Sequence, residues 1–129
     1  IVRMELNLYV AWSCMVLGVL TGAVQGLFFH KEEWMGGYGS WRRRMTRLGH
    51  IAFFGIAFVN IAFASTVYIL NIAPNDVRIA SILLVIGGFG MPIVCYLSAF
   101  IKPFRNLFFI PVLSVAGAIV NLLIVMYSR

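Results

Sequence analysis

A chain of 129 residues that is 62% hydrophobic and 11% charged falls outside the range of soluble domains, which run about 45–50% apolar and about 25% charged. Its net charge of +6 would suit a nucleic-acid partner only if the cations formed a solvated face. Instead five of the ten basic residues fall between Lys31 and Arg47, bracketed by apolar runs, which reads as membrane orientation and contact with anionic lipid headgroups.

The first apolar run, Leu6 to Phe29, contains no Asp, Glu, Lys or Arg and is long enough for the roughly 20 residues a helix needs to cross a bilayer. No small-residue cleavage site follows it, so it reads as a span and not as a cleavable signal peptide. Gly18, Gly22 and Gly26 stand at four-residue spacing, a pattern that lets another helix backbone approach closely. That face would dock either another subunit or a helix of this same chain. Thr21 and Gln25 lie beside it and are placed to bond across the groove.

The following loop, His30 to Leu48, carries Trp34, Tyr38 and Trp41 and then Arg42, Arg43, Arg44 and Arg47. The aromatic residues suit the interfacial belt and the arginines suit lipid phosphates. Ser40 is a candidate cap for a short amphipathic helix leading into the second span.

The second run is Gly49 to Ala73, closed by Pro74 in the tight turn Pro74 to Arg78. Asn60 near its middle is suited to joining helices. The third run, Ile79 to Ile101, contains Gly87-Gly88-Phe89-Gly90-Met91-Pro92. Pro92 has no N–H for the Gly88 carbonyl, so a kink is expected near the bilayer centre. After a short turn with Pro103, the fourth run is Leu107 to Tyr127, where Pro111 is expected to disturb the first turns. Spans this long without alternation read as helices and not as barrel strands. The expected fold is one all-α transmembrane domain, an antiparallel bundle of four helices over residues 6–29, 49–73, 79–101 and 107–127.

Orientation follows from the cations. Lys31, Arg42, Arg43, Arg44, Arg47, Lys102 and Arg105 share one side, against Arg3, Arg78 and Arg129 on the other. The first group is placed in the cytoplasm and both termini on the non-cytoplasmic side.

His30 and His50 end the first span and begin the second, at one membrane depth. Two histidines on adjacent helices can ligate a b-type haem, with Gly49 leaving room for the macrocycle. A metal set of His30, Glu32, Glu33 and His50 matches no strong ligand spacing. Cys14 and Cys95 lie inside apolar runs and read as packing residues, not as a disulfide or metal pair. The spans hold no carboxylate or lysine, which proton relays and ion-coupled transporters require. The small four-helix multidrug exporters depend on a glutamate in the first span, and none stands here. No nucleophile triad, phosphate loop or dinucleotide fingerprint is present.

The stretch Arg42-Arg43-Arg44-Met45-Thr46-Arg47-Leu48-Gly49-His50-Ile51-Ala52-Phe53-Phe54-Gly55, followed by Asn60, resembles a group of uncharacterised bacterial four-helix membrane proteins whose pattern is Arg-Arg-x-x-Arg-Leu-Gly-His-Ile-Ala-Phe, preceded by a Tyr-containing loop. The resemblance covers about 20 residues, implies a bacterial cytoplasmic membrane and carries no activity. It makes His50 more distinctive than His30.

The expectation is therefore a non-catalytic accessory subunit of a larger bacterial membrane complex, of the respiratory or photosynthetic electron-transfer kind. Its partners would be other integral membrane subunits and anionic lipids. The alternatives are a haem b subunit using His30 and His50, with quinone as partner, and a small transporter built around the Pro92 kink.

Overall fold

The computed structural model describes residues 5–129. Arg3, one of the cations used for orientation, lies outside them. The elements are α1 (Glu5–Phe28), α2 (Trp41–Ile69), α3 (Arg78–Phe100) and α4 (Phe109–Tyr127), with 3-10 turns at Trp34–Gly36, Pro74–Val77 and Lys102–Leu107. All four helices are long and apolar enough to cross a membrane, and together they form the four-helix bundle of an integral membrane protein.

Side-chain bonds fix the directions. Asn7 reaches Asn60 and the Ser81 carbonyl, whereas Gln25 reaches the Thr46 carbonyl and the Tyr96 hydroxyl. α1 is therefore antiparallel to α2 and parallel to α3. α2 and α3 form the middle of the bundle; α1 packs on both, and α4 packs on α3.

Two apolar clusters fill the interior. One joins Val10, Ala11 and Cys14 to Phe53 and Ala57, with Val85 and Phe89 against them. The other joins Phe63 and Val67 to Val77, Ala80 and Leu84, with Ala118 of α4. Elsewhere large apolar side chains face outward along all four helices, the pattern of a surface solvated by lipid.

Three local features differ from the sequence expectation. The second helix starts eight residues earlier than expected, at Trp41 instead of Gly49, because Ser40 caps it directly: the Arg43 N–H donates to Ser40 Oγ at 3.3 Å. At 29 residues it is about 43 Å long, more than the roughly 30 Å hydrocarbon core. Its arginine-bearing turns thus extend past the core. The same helix ends at Ile69, before Pro74 can act. Asn71 takes a left-handed φ of 51°, and the N–H groups of Asn71 and Ile72 donate to the carbonyls of Tyr68 and Val67. This is a Schellman stop with Asn in the position usually held by Gly.

Pro111 disturbs α4 less than expected. Pro111 is the third residue of α4, where its missing N–H has no intrahelical acceptor to lose. α3 runs unbroken through Pro92. The Gly88 carbonyl that Pro92 cannot serve accepts instead from Cys14 Sγ of α1, at 3.6 Å. A thiol across a helix interface does the work of a backbone amide.

Candidate functional site

Moving from the non-basic end of the bundle toward the arginines, the polar groups of α1 are taken up in turn. Asn7, Asn60 and Ser81 are fully buried. Asn7 Nδ2 donates to Asn60 Oδ1 at 2.8 Å, Ser81 Oγ donates to Asn7 Oδ1, and Asn60 Nδ2 donates to the carbonyls of Ile56 and Leu84. The network locks three helices. It was readable in advance only from Asn60, because Asn7 looks like a boundary residue until it is placed opposite Asn60.

The glycine row faces this chain's own second helix. A Cβ on Gly18 would stand 2.7 Å from the Phe54 ring, and one on Gly22 would collide with the His50 ring. Gly26 has nothing within 4 Å. The close approach lets His50 Nδ1 meet the Gly18 carbonyl at 2.8 Å. A carbonyl can only accept, so Nδ1 carries the proton and Nε2 is the ring nitrogen left for another partner. Of the two residues flanking the row, Gln25 bonds across to α2 and α3, while Thr21 turns back to the Leu17 carbonyl of its own helix.

Beyond His50, the loop folds over the end of α1. Arg43 is 4% exposed. Its guanidinium donates to the carbonyls of Phe29 at 2.7 Å and Glu32 at 3.4 Å, and it lies over the rings of Trp34 and Tyr38 at 5.5 and 5.8 Å. Arg43 thus caps the negative C-terminal end of α1, which satisfies carbonyls a helix leaves open. Arg47 lies 4.1 Å over the Tyr38 ring and donates to the Tyr38 carbonyl at 2.9 Å. Trp41 donates from Nε1 to the Ser98 carbonyl at 2.6 Å and is flanked by Arg44 and Lys102. Arg42 lies over Phe100. The belt aromatics therefore also serve as faces for the cations.

Arg43, Arg47, Trp34 and Tyr38 line an open cavity of about 220 Å³. Gly22, Gly26, Gln25, His50, Arg43 and Arg47 are among its walls, with Trp34 and Tyr38 on the loop side. An apolar groove of about 270 Å³ lies on the other side of Gln25, Trp34 and Thr46, walled by Leu20, Val24, Tyr96 and Phe100.

The residues do not fit a haem held by His30 and His50. His30 is exposed and is not a wall of the cavity that His50 lines. The space beside Gly49 is filled by the Tyr96 ring, 2.8 Å from a Cβ built there. The cavity is also below the roughly 300–1,000 Å³ of sites for sizeable ligands. Among the described residues no group of three or more His, Cys, Asp and Glu is placed to hold a metal ion. The α3 segment around Pro92 is packed: Val115 sits against Gly87, Val10 and Ile56 sit against Gly88, and Pro92 is buried.

On α4, Ser114 bonds back to its own Ile110 carbonyl, and Asn121 Oδ1 is buried without a hydrogen-bond partner, as is Ser98 Oγ on α3. The Asn121 side chain is half-buried, while Val120 and Ile124 beside it are 54% and 61% exposed.

Comparison with protein-family models, curated proteins and solved structures gives no match.

Proposed function

We propose that the protein is a non-catalytic subunit of a larger complex in a bacterial cytoplasmic membrane, with its arginine-rich end in the cytoplasm. The observation that carries this reading is α4. It is held along one side by α3 and presents an apolar outer face, with Val120 and Ile124 54% and 61% exposed, beside a half-buried amide, Asn121, whose oxygen is covered within this chain and lacks a donor. In hydrocarbon an unsatisfied amide is costly, and small and polar residues at helix interfaces are the means of association there. On the other helices Asn7, Gln25, Asn60 and Ser81 are spent on bonds within the bundle. The parent complex expected from the sequence is an electron-transfer assembly, and its redox groups would then sit in the partner subunits.

A photo-reactive residue at Ile124, introduced in the native membrane, tests this. The expected result is a covalent adduct to a different integral membrane protein, reduced in yield by Asn121→Leu. Adducts to lipid alone, together with migration as a single chain after extraction in mild detergent, would refute it.

A further inference from the structure

We infer that the cavity at the basic end binds the phosphate of an anionic phospholipid, with an acyl chain of that lipid in the adjoining apolar groove. The inference does not depend on the subunit reading, because no residue of α4 lines the cavity or the groove and the test uses the isolated chain.

The first ground is uncompensated charge. α2 opens with Arg42, Arg43 and Arg44 and has no acidic residue in its first turn. Cations there oppose the positive end of the helix dipole, where an anion is favoured. Arg43 and Arg47 both line the cavity, and their hydrogen-bond partners among the described residues are backbone carbonyls. A carbonyl dipole orients a guanidinium without neutralising it. Arg43 offers five N–H donors and gives two of them to Phe29 and Glu32. Its charge is buried, so the attraction for an anion is screened less than at an open surface.

The second ground is size and shape. A cavity of about 220 Å³ exceeds the roughly 150 Å³ that holds a benzene, so a phosphate headgroup fits and a macrocycle does not. The third ground is the neighbour. Gln25, Trp34 and Thr46 wall both the cavity and the groove, so the basic and apolar spaces are separated by a single layer of side chains. An occupant that satisfies both is anionic at one end and hydrocarbon at the other. Inorganic phosphate would use only the first space and a zwitterionic lipid would bring its own cation against the arginines.

The test uses the full chain in a neutral detergent, titrated with phosphatidylglycerol, phosphatidylcholine and inorganic phosphate, with bound lipid counted by native mass spectrometry. Phosphatidylglycerol is expected to bind at least about tenfold more tightly than either of the others. Arg47→Gln, which removes one charged hydrogen-bond donor from the cavity, is expected to weaken it by about tenfold. Arg105→Gln, the same charge change on the same side but outside the cavity, is expected to change it less than about twofold. Equal losses in the two variants would mean diffuse attraction to the basic end and would overturn the assignment. So would phosphatidylcholine binding as tightly as phosphatidylglycerol, or inorganic phosphate competing at an affinity equal to the lipid's. The unsubstituted chain supplies an arm that needs no variant: its affinity for phosphatidylglycerol falls as salt is raised, and a salt-independent affinity overturns the proposal.

Discussion

Replacing Cys14 by alanine isolates the cost of a proline in the middle of a membrane helix. Pro92 leaves the Gly88 carbonyl without its intrahelical donor, and the fully buried Cys14 thiol bonds to it at 3.6 Å. Two things are lost in Cys14→Ala. The gap left by the sulfur costs about 1 kcal/mol, as for a methyl-sized cavity. The bond across the interface is worth about 0.6 kcal/mol, the average for interhelical hydrogen bonds in a bilayer. The expected total is about 1.6 kcal/mol. Pro92→Ala separates the two contributions, because it restores an N–H four residues beyond Gly88. In that background the carbonyl is served within α3, and Cys14→Ala costs only the packing loss of about 1 kcal/mol. The double-mutant cycle should therefore show a coupling of about 0.6 kcal/mol, with the second substitution cheaper than the first. Cys14→Ser keeps a donor and should fall nearer the unsubstituted protein than Cys14→Ala. Reversible unfolding in mixed micelles, followed by circular dichroism, measures all five proteins. A coupling indistinguishable from zero refutes the idea that the thiol replaces the missing amide.

Gly22→Ala forces the His50 ring away from α1 and breaks its bond to Gly18, at an expected cost of about 1–3 kcal/mol; Gly26→Ala, which meets nothing within 4 Å, should be neutral or stabilising by up to about 1 kcal/mol. The same unfolding assay compares them. Asn60→Leu strips Asn7 of its partner and should cost about 1–3 kcal/mol. Adding Ser81→Ala to it should cost less than Ser81→Ala alone, since both act on one network. Arg43→Gln releases the carbonyls of Phe29 and Glu32, worth about 1.5–3 kcal/mol. Tryptic cleavage after Lys31 should then accelerate by roughly tenfold or more, while Arg44→Gln, whose guanidinium lies over the Trp41 ring, leaves that rate unchanged.

The spans were readable from sequence because their cause is additive. Uncharged runs of more than 20 residues lower their free energy in hydrocarbon whatever their neighbours are. Helix ends were less readable where the cause was local geometry. Asn71 stops α2 through a left-handed backbone that Asn adopts more readily than most residues, and Pro74 drew attention away from it. The site residues divided in the same way. Arg42, Arg43, Arg44 and Arg47 form one basic cluster in sequence, yet the structure gives each a different task. Only Arg43 caps α1, because it is the one of the four whose guanidinium reaches the Phe29 carbonyl at the helix end. Nothing in the order of residues distinguishes it from Arg44. Cys14 was readable as a buried residue but not as a donor, since its acceptor is 74 positions away.

The polar contacts also separate α4 from the other three helices. α1 is tied to α2 or α3 at three depths: by Asn7 at the non-basic end, by Cys14 in the middle, and by His50 and Gln25 toward the arginines. Among the described residues no such side-chain bond joins α4 to its neighbours. It is held by shape, with Val115 against Gly87, Pro111 against Gly90 and Leu83 against Gly117. In lipid the hydrophobic effect gives no preference for a protein neighbour over an acyl chain, so contacts of this kind rest on van der Waals packing alone. Displacing α1 would expose several unsatisfied groups to hydrocarbon, whereas shifting α4 exposes none beyond Asn121, which already lacks a donor. The chain is therefore a three-helix unit joined by polar bonds, with a fourth helix held by packing.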